Sequence, residues 1–229
     1  MNQPVHSLVR KPPARPTRAR ETTRTNDPER TMANILDVAT QEFAEKGLAG
    51  ARIDEIAEAT HTSKRMIYYY FGSKEGLYLA VLEDSYRRMR QIEGQLCLDD
   101  LEPEAALRRL VEFTFDHHRT HEAYIRLVMS ENINRGEYLS KSQSIEQLNV
   151  PAISAIQKLY DRGVASGQFR PGLDPIDIHA SISALTFFNV SNRHTFGRIF
   201  KRDFTDEALA ADRRAAVVDM VVRYVRADA

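Results

Sequence analysis

Between Thr60 and Lys74 the chain carries three cations, Lys64, Arg65 and Lys74, with no acid among them and with Tyr68, Tyr69 and Tyr70 interleaved. That combination suits a polyanion. Ammonium and guanidinium groups pair with phosphate, an arginine can pair bidentately with guanine, and a tyrosine offers its hydroxyl to phosphate or base edges and its ring to sugar. Helical spacing turns only part of the run Tyr68 to Phe71 outward, so Phe71 and one of the tyrosines are expected inside.

Such side chains act only if a short helix is held proud of the surface. Asp27-Pro28 has the form of a helix start, with a carboxylate for the first free amides and a proline suited to the first turn. Met32, Ile35, Leu36, Ala39 and Phe43 then recur at helical spacing, and Gly47 ends a helix predicted over about residues 28 to 46. A very short second helix, about 52 to 59, turns Ile53, Ile56 and Ala57 inward. After Thr60-His61, either Thr62 or Ser63 can cap a third helix running to about Tyr69. The turn Phe71-Gly72-Ser73 leads into a long fourth helix reaching the mid-nineties. Two short helices around a three-to-four-residue polar turn are the arrangement that projects a second helix into a DNA major groove.

The series Ile53-Asp54-Glu55-Ile56-Ala57-Glu58-Ala59, Thr62-Ser63-Lys64 and Ile67-Tyr68-Tyr69-Tyr70-Phe71-Gly72-Ser73-Lys74-Glu75-Gly76-Leu77 closely resembles the DNA-binding region of the tetracycline-repressor (TetR) family, without a gap over about 30 positions. The resemblance implies an Ω-shaped, all-helical homodimer of nine or so helices per subunit. It also implies that Lys64, Arg65 and Met66 face the groove, that Tyr68 reaches the operator, and that Lys74 grips a phosphate. Thr62, Ser63 and Tyr69 complete the expected contact set. Two positions depart from the family pattern: His61 stands where the turn usually has glycine, and Arg52 where helix 2 usually opens on Ser or Thr. Histidine tolerates a positive φ better than most residues, so the turn is expected to survive. Arg52 is either a charged phosphate contact or a solvated surface residue. The segment Arg65 to Phe71 is also similar to repressors of aromatic and N-heterocyclic catabolism, which implies an aromatic or other organic metabolite as effector.

The 229 residues are 42% hydrophobic and 28% charged, which excludes both a disordered chain and a membrane protein. No apolar run of membrane-spanning length and no secretory signal are visible, so a cytoplasmic protein is expected. A lone cysteine, Cys97, excludes an internal disulfide and a paired-thiolate zinc site. The net charge of zero conceals a division: residues 1 to 26 carry +5 and the remainder −5. With Pro4, Pro12, Pro13 and Pro16 and few apolar residues, segment 1–26 is expected to be a disordered basic arm, either polyanion-binding or merely solubilising.

The expected organisation is therefore all-α: a basic arm at 1–26, a three-helix helix-turn-helix domain at 27–73, and a helical ligand-binding and dimerisation domain at 74–229. In the last, helices are predicted from Pro103, over 122 to 133, from Ser140 to Ala165 interrupted by Pro151, and over 174 to 198 and 205 to 226. Phe113, His117, Met129, Phe187, Asn192, Arg193 and His194 combine apolar bulk with scattered polar groups, the composition of a small-molecule pocket, with Arg193 or His194 as counter-charge to an acidic effector. Val217, Val218, Val221, Val222 and Val225 with Tyr224 exceed what one internal face needs and suggest pairing with a second subunit. His117, His118 and His121 could align for a metal only if the helix ran through Thr120, and the resemblance implies a break near His121, so neither a metal nor a cofactor is expected. No nucleophile elbow, metalloprotease motif or phosphate loop is present. The reading is a repressor, not an enzyme, released from a palindromic double-stranded operator by a small molecule. An enzyme with an accessory DNA-binding module and a constitutive DNA binder without effector are the alternatives.

Overall fold

The computed structural model describes residues 27–227; the basic arm at 1–26 lies outside them. Ten α-helices follow one another: α1 Pro28–Gly50, α2 Ile53–Ala59, α3 Lys64–Phe71, α4 Lys74–Glu93, α5 Pro103–Thr120, α6 Glu122–Ile133, α7 Gln143–Ala165, α8 Pro175–Ser191, α9 Arg193–Phe200 and α10 Glu207–Val225. Among the described residues there is no strand, only one isolated bridge between Phe169 and Arg226. No helix there is long and apolar enough to cross a membrane.

Local chemistry sets most helix starts. Asp27, Ser63, Ser73, Ser142, Asp174 and Asp206 each cap their helix by accepting from an amide of its first turn. Gly47 breaks α1 as expected, with φ 66° and ψ 174°, before a last irregular turn to Gly50. Three expectations need correction. α3 continues through Phe71 rather than stopping near Tyr69. α7 runs unbroken through Pro151, since tertiary packing on both sides outweighs the one hydrogen bond lost to the carbonyl of Gln147. The helix expected over 174 to 198 is two helices that part at Asn192, φ −106° and ψ 1°.

Two apolar cores organise the bundle. The first joins Ile35, Ala39 and Phe43 of α1, Ile53 and Ile56 of α2, Ile67 of α3 and Leu77 and Val81 of α4, and also takes in Leu127 of α6 and Ile145 of α7. The second lies between α5, α7, α8 and α10. The first half of α4 thus belongs to the core of the helix-turn-helix, while its C-terminal turns reach the other half.

The α10 valines fall in this second core. Val217, Val218, Val221, Val222 and Val225 are all at most 4% exposed within the single chain. Their spacing forms one stripe along the helix, so a single internal face accommodates them all. The excess attributed to them from sequence is not there. On the last three helices the large apolar side chains left exposed are instead Ile176 and Phe188 on α8, Ile199 and Phe200 on α9 and Met220 on α10.

Candidate nucleic-acid interface and effector cavity

α3 is held by its neighbours at both ends. At its start Ser63 Oγ accepts from Met66 N at 3.2 Å, and Ile67, fully buried, anchors the inner face. Before it, His61 takes φ 52°, so the turn that glycine usually makes is made here by histidine. At its end the amide of Gly72 donates to Tyr68 O at 2.8 Å, and Ser73 Oγ accepts from Gly76 N at 3.0 Å. Gly76 is required for space: a Cβ there would lie 2.1 Å from the carbonyl oxygen of Phe71. That close approach fixes α3 against α4.

The outer face of α3 then follows from the register. Arg65, Tyr68 and Tyr69 are exposed, Tyr69 at 78%, whereas Met66 is half-buried. Phe71 and Tyr70 pack partly inward on the first core, as the sequence led one to expect. Lys64 is exposed and its Nζ meets Asp54 Oδ1 of α2 at 2.7 Å. The segment Thr60–Lys74 has no acid, but the fold brings one to it. Arg52 caps α2 with no side-chain bond and lies 3.8 Å from Asp54 and 3.9 Å from Glu55. Lys74, half-buried at the start of α4, donates to Ala49 O at 3.3 Å. Thr62 is half-buried and Ser63 exposed beside it.

Long-range polar contacts tie this half to the rest. Arg126 of α6 donates from Nε to Ala44 O at 2.6 Å and from a terminal nitrogen to Glu45 O at 3.3 Å. It thereby satisfies carbonyls at the end of α1, where no helical donor remains. Glu131 of α6, 1% exposed, accepts from the Tyr78 hydroxyl of α4 at 3.0 Å and from the amides of Tyr138 and Leu139. Burial first, and then the Glu131 charge, push the Tyr78 phenol up to about 12.

A cavity of about 570 Å³ lies between α4, α5 and α7, bordered by Arg87, Arg90 and Glu93 of α4, Leu110 of α5, and Leu148 and Ile156 of α7. A larger groove of about 910 Å³ runs between α1, α4 and the α5–α6 junction. Of the pocket residues proposed from sequence, His117 borders this groove. Phe113 packs 5.7 Å from His117 and Phe187 6.1 Å from His118, between ring centroids. Met129 is half-buried on α6, and Asn192 forms the break between α8 and α9. Arg193 pairs with Glu122 at the start of α6, and His194, exposed, lies 3.8 Å from the same carboxylate. Arg193 and His194 thus sit together over α6, away from the 570 Å³ cavity. Sequence reasoning missed Arg90 and Glu93; their signal was a pair of opposite charges at i and i+3 on a face of α4 otherwise marked by the buried Met89 and half-buried Tyr86.

The break expected near His121 falls there, between the end of α5 and the start of α6. α5 continues through Thr120, so His117 and His121 do align, and their rings stack at 4.1 Å with 9° between planes. His121 Nδ1–H donates to His117 O at 3.0 Å. No group of three or more metal-ligating side chains converges among the described residues. His118 donates from Nδ1 to the Thr186 hydroxyl at 3.0 Å, which in turn donates to Ile182 O. Burial chiefly, then neighbouring imidazoles and Arg90, lower His117 to about 3; burial, then Arg90 and His179, lower His118 to about 4. Both are neutral packing groups at pH 7.

Residues 35–81 match the family of bacterial regulatory proteins, tetR family, and residues 103–221 match the tetracyclin repressor-like C-terminal domain. The chain is 36% identical over 203 residues to the HTH-type transcriptional repressor NicS of Pseudomonas putida, spanning 89% of this chain and 96% of that protein. It is 33% identical over 139 residues to the repressor SCO4008 of Streptomyces coelicolor, 60% of this chain and 69% of the relative. Among solved structures, the transcriptional regulator SCO4942 of Streptomyces coelicolor superposes with a TM-score of 0.63 at 28% identity, covering 85% of this chain and 98% of that one. The fatty acid degradation regulator FadR of Bacillus halodurans shares the fold, with a TM-score of 0.62 at 21% identity over 82% and 94% of the two chains. The two family matches, set in chain order on a helix-turn-helix and an α-helical C-terminal half, mean that this protein belongs to the TetR family of helix-turn-helix transcriptional regulators.

Proposed function

We propose that the protein is a cytoplasmic repressor, acting as a homodimer on a palindromic operator and released from it by a small organic effector. Residues 27–73 form the DNA-reading part and 74–229 the sensing and pairing part, with α4 shared between their cores. Arg65 reads base edges from the exposed face of α3, and Tyr68, Tyr69, Met66 and Lys64 line the groove beside it. Arg52, Thr62 and Ser63 contact the backbone. Lys74 joins the free amides at the start of α4 on one phosphate. Pairing between subunits covers the exposed apolar side chains of α8 and Met220 of α10.

The observation that carries the effector part is the span of α4. One unbroken 20-residue helix begins at Lys74, beside the recognition helix, and ends at Arg90 and Glu93 on the wall of the 570 Å³ cavity. An occupant that moves the end of α4 must also move its start, because Gly76 is locked against Phe71. The volume is that of a site for a compact metabolite. Release by about 10³-fold requires roughly 4 kcal/mol of difference in affinity between the two states. Fluorescence anisotropy on DNA from upstream of its own gene, before and after addition of an unselected metabolite library, tests this. Saturable binding at one inverted repeat, reversed by at least one compound, is expected; binding that no compound weakens would leave a constitutive DNA-binding protein in its place.

A further inference from the structure

The wall of the 570 Å³ cavity is largely apolar, and its formal charges all come from α4. Arg87 donates to Asp84 Oδ1 at 3.0 Å and keeps contact with solvent. Arg90 is different. Its side chain is only 12% exposed and bonds Glu93, itself 11% exposed, through a single terminal nitrogen. Its Nε is closed off from solvent and has no hydrogen-bond partner. A guanidinium presents five N–H donors in a planar fork whose geometry matches the two oxygens of a carboxylate. Leaving such a donor buried and unpaired is unfavourable, so the site is incomplete as it stands.

The surroundings narrow what completes it. The other ionisable groups whose titration Arg90 influences are Tyr86 on its own helix, His117 and His118 on α5, Tyr124 on α6 and His179 on α8. All of these are uncharged at pH 7, the phenols raised and the imidazoles lowered, with burial the largest cause in each case. Glu93 is the one anion bonded to Arg90, and burial holds its carboxyl above the usual range despite the arginine. With Arg87 held by Asp84, Arg90 is the cation of the cavity wall that keeps a donor without a partner. The counter-charge suggested from sequence, Arg193, is already engaged with Glu122.

We infer that the effector is an organic acid whose carboxylate docks on the Arg90 guanidinium, completing the fork that Glu93 fills only in part, with its apolar body against Leu110, Leu148 and Ile156. This rests on the effector reading proposed above. A bidentate, charge-assisted pair on a guanidinium that is itself largely buried discriminates strongly between an acid and its neutral amide, which offers one acceptor oxygen and no charge.

The test uses the intact protein and matched pairs: benzoate with benzamide, phenylacetate with phenylacetamide, and hexanoate with hexanamide. Thermal shift and calorimetric titration are expected to show at least one acid binding at least about tenfold more tightly than its amide. Arg90→Lys should keep part of that preference and Arg90→Met should lose it. Because Arg90→Met strands the Glu93 carboxyl, the double variant Arg90→Met/Glu93→Gln removes both charges and serves where the single variant fails to fold. Amides that bind as well as acids, acids that bind the double variant as they bind the wild type, or a panel with no binding at all would each overturn the inference. Ala155→Trp, which fills the cavity, separates this from the effector reading itself. If neutral compounds release the operator from the wild type but not from Ala155→Trp, the cavity is the effector site and only the acid is wrong.

Discussion

The recognition helix and the 570 Å³ cavity lie at the two ends of α4, and they are built from different kinds of contact. Around α3 the decisive bonds join near neighbours: Ser63 to Met66, Ser73 to Gly76, and Gly72 to Tyr68. In the sensing half they join distant residues, Thr186 with His118 across 68 positions and Arg193 with Glu122 across 71, while Glu131 with Tyr78 across 53 and Arg126 with Ala44 across 82 tie the two halves together. A unit held by local bonds keeps its own geometry when it moves as a body. One held by long-range bonds can rearrange when an occupant competes for a partner, which is what a sensor requires.

The sharpest way to break this comparison is Gly76→Val. A branched side chain where even a single added Cβ would lie 2.1 Å from the Phe71 carbonyl oxygen must push α3 off α4. Operator affinity should fall by about 100-fold or more, while the effector still raises the melting temperature. If the variant loses effector binding to the same degree, the two halves do not behave as separately built units. Next in size is Arg65→Ala, expected to cost about 1–3 kcal/mol on the operator and to relax preference at one or two base pairs per half-site. Lys74→Ala should instead weaken all sequences almost equally and reduce the salt slope by about one. Titration of a panel of single-base operator variants at two salt concentrations separates the two roles, and a reshaped base preference in Lys74→Ala would reverse them.

The buried histidines give the sensing half a pH signature of its own. His117 and His118 titrate far below the ordinary 6.5, at about 3 and about 4, so the unfolded chain binds more protons than the folded one between those values and 6.5. Stability from this source is fully present above pH 6.5 and is lost progressively as pH falls below it, by up to about 1.4 kcal/mol per unit for each histidine. Melting curves from pH 7.5 to 4.5 should show the drop, and His118→Gln should flatten it; an unchanged slope in that variant assigns the drop to other groups. The smallest effect expected is from Asp54→Asn, which frees the Lys64 ammonium. Affinity for both operator and random DNA should rise a few-fold at low salt, and an unaltered affinity would mean that Lys64 contacts no phosphate.

How much of this was legible beforehand follows the same division. The capping serines, the turn at Thr60-His61, the inward Ile53, Ile56 and Ala57 and the inward Phe71 are set within a few residues of one another, so their spacing in the chain already encodes their geometry. His61 could be judged from its side chain alone, and it adopts the positive φ. The C-terminal half yielded its helices but not their partners. The α10 valines looked like a surface for a second subunit because nothing in a sequence says that α5 and α8 will cover them. Pro151 looked like a break because the cost of one lost hydrogen bond is visible in the chain and the packing that outweighs it is not.

By itself, then, the sequence determined an all-α chain, the helix-turn-helix and part of the outer face of α3, since these depend on periodicity, caps and turn chemistry that act over one or two helical turns. Only the tertiary structure decided that Asp54 meets Lys64, that Arg193 belongs to Glu122, and that Arg90 lies buried with a donor to spare beside a cavity. Charge and burial at those places arise where separate helices converge, and convergence is a property of the packed core rather than of any segment that enters it.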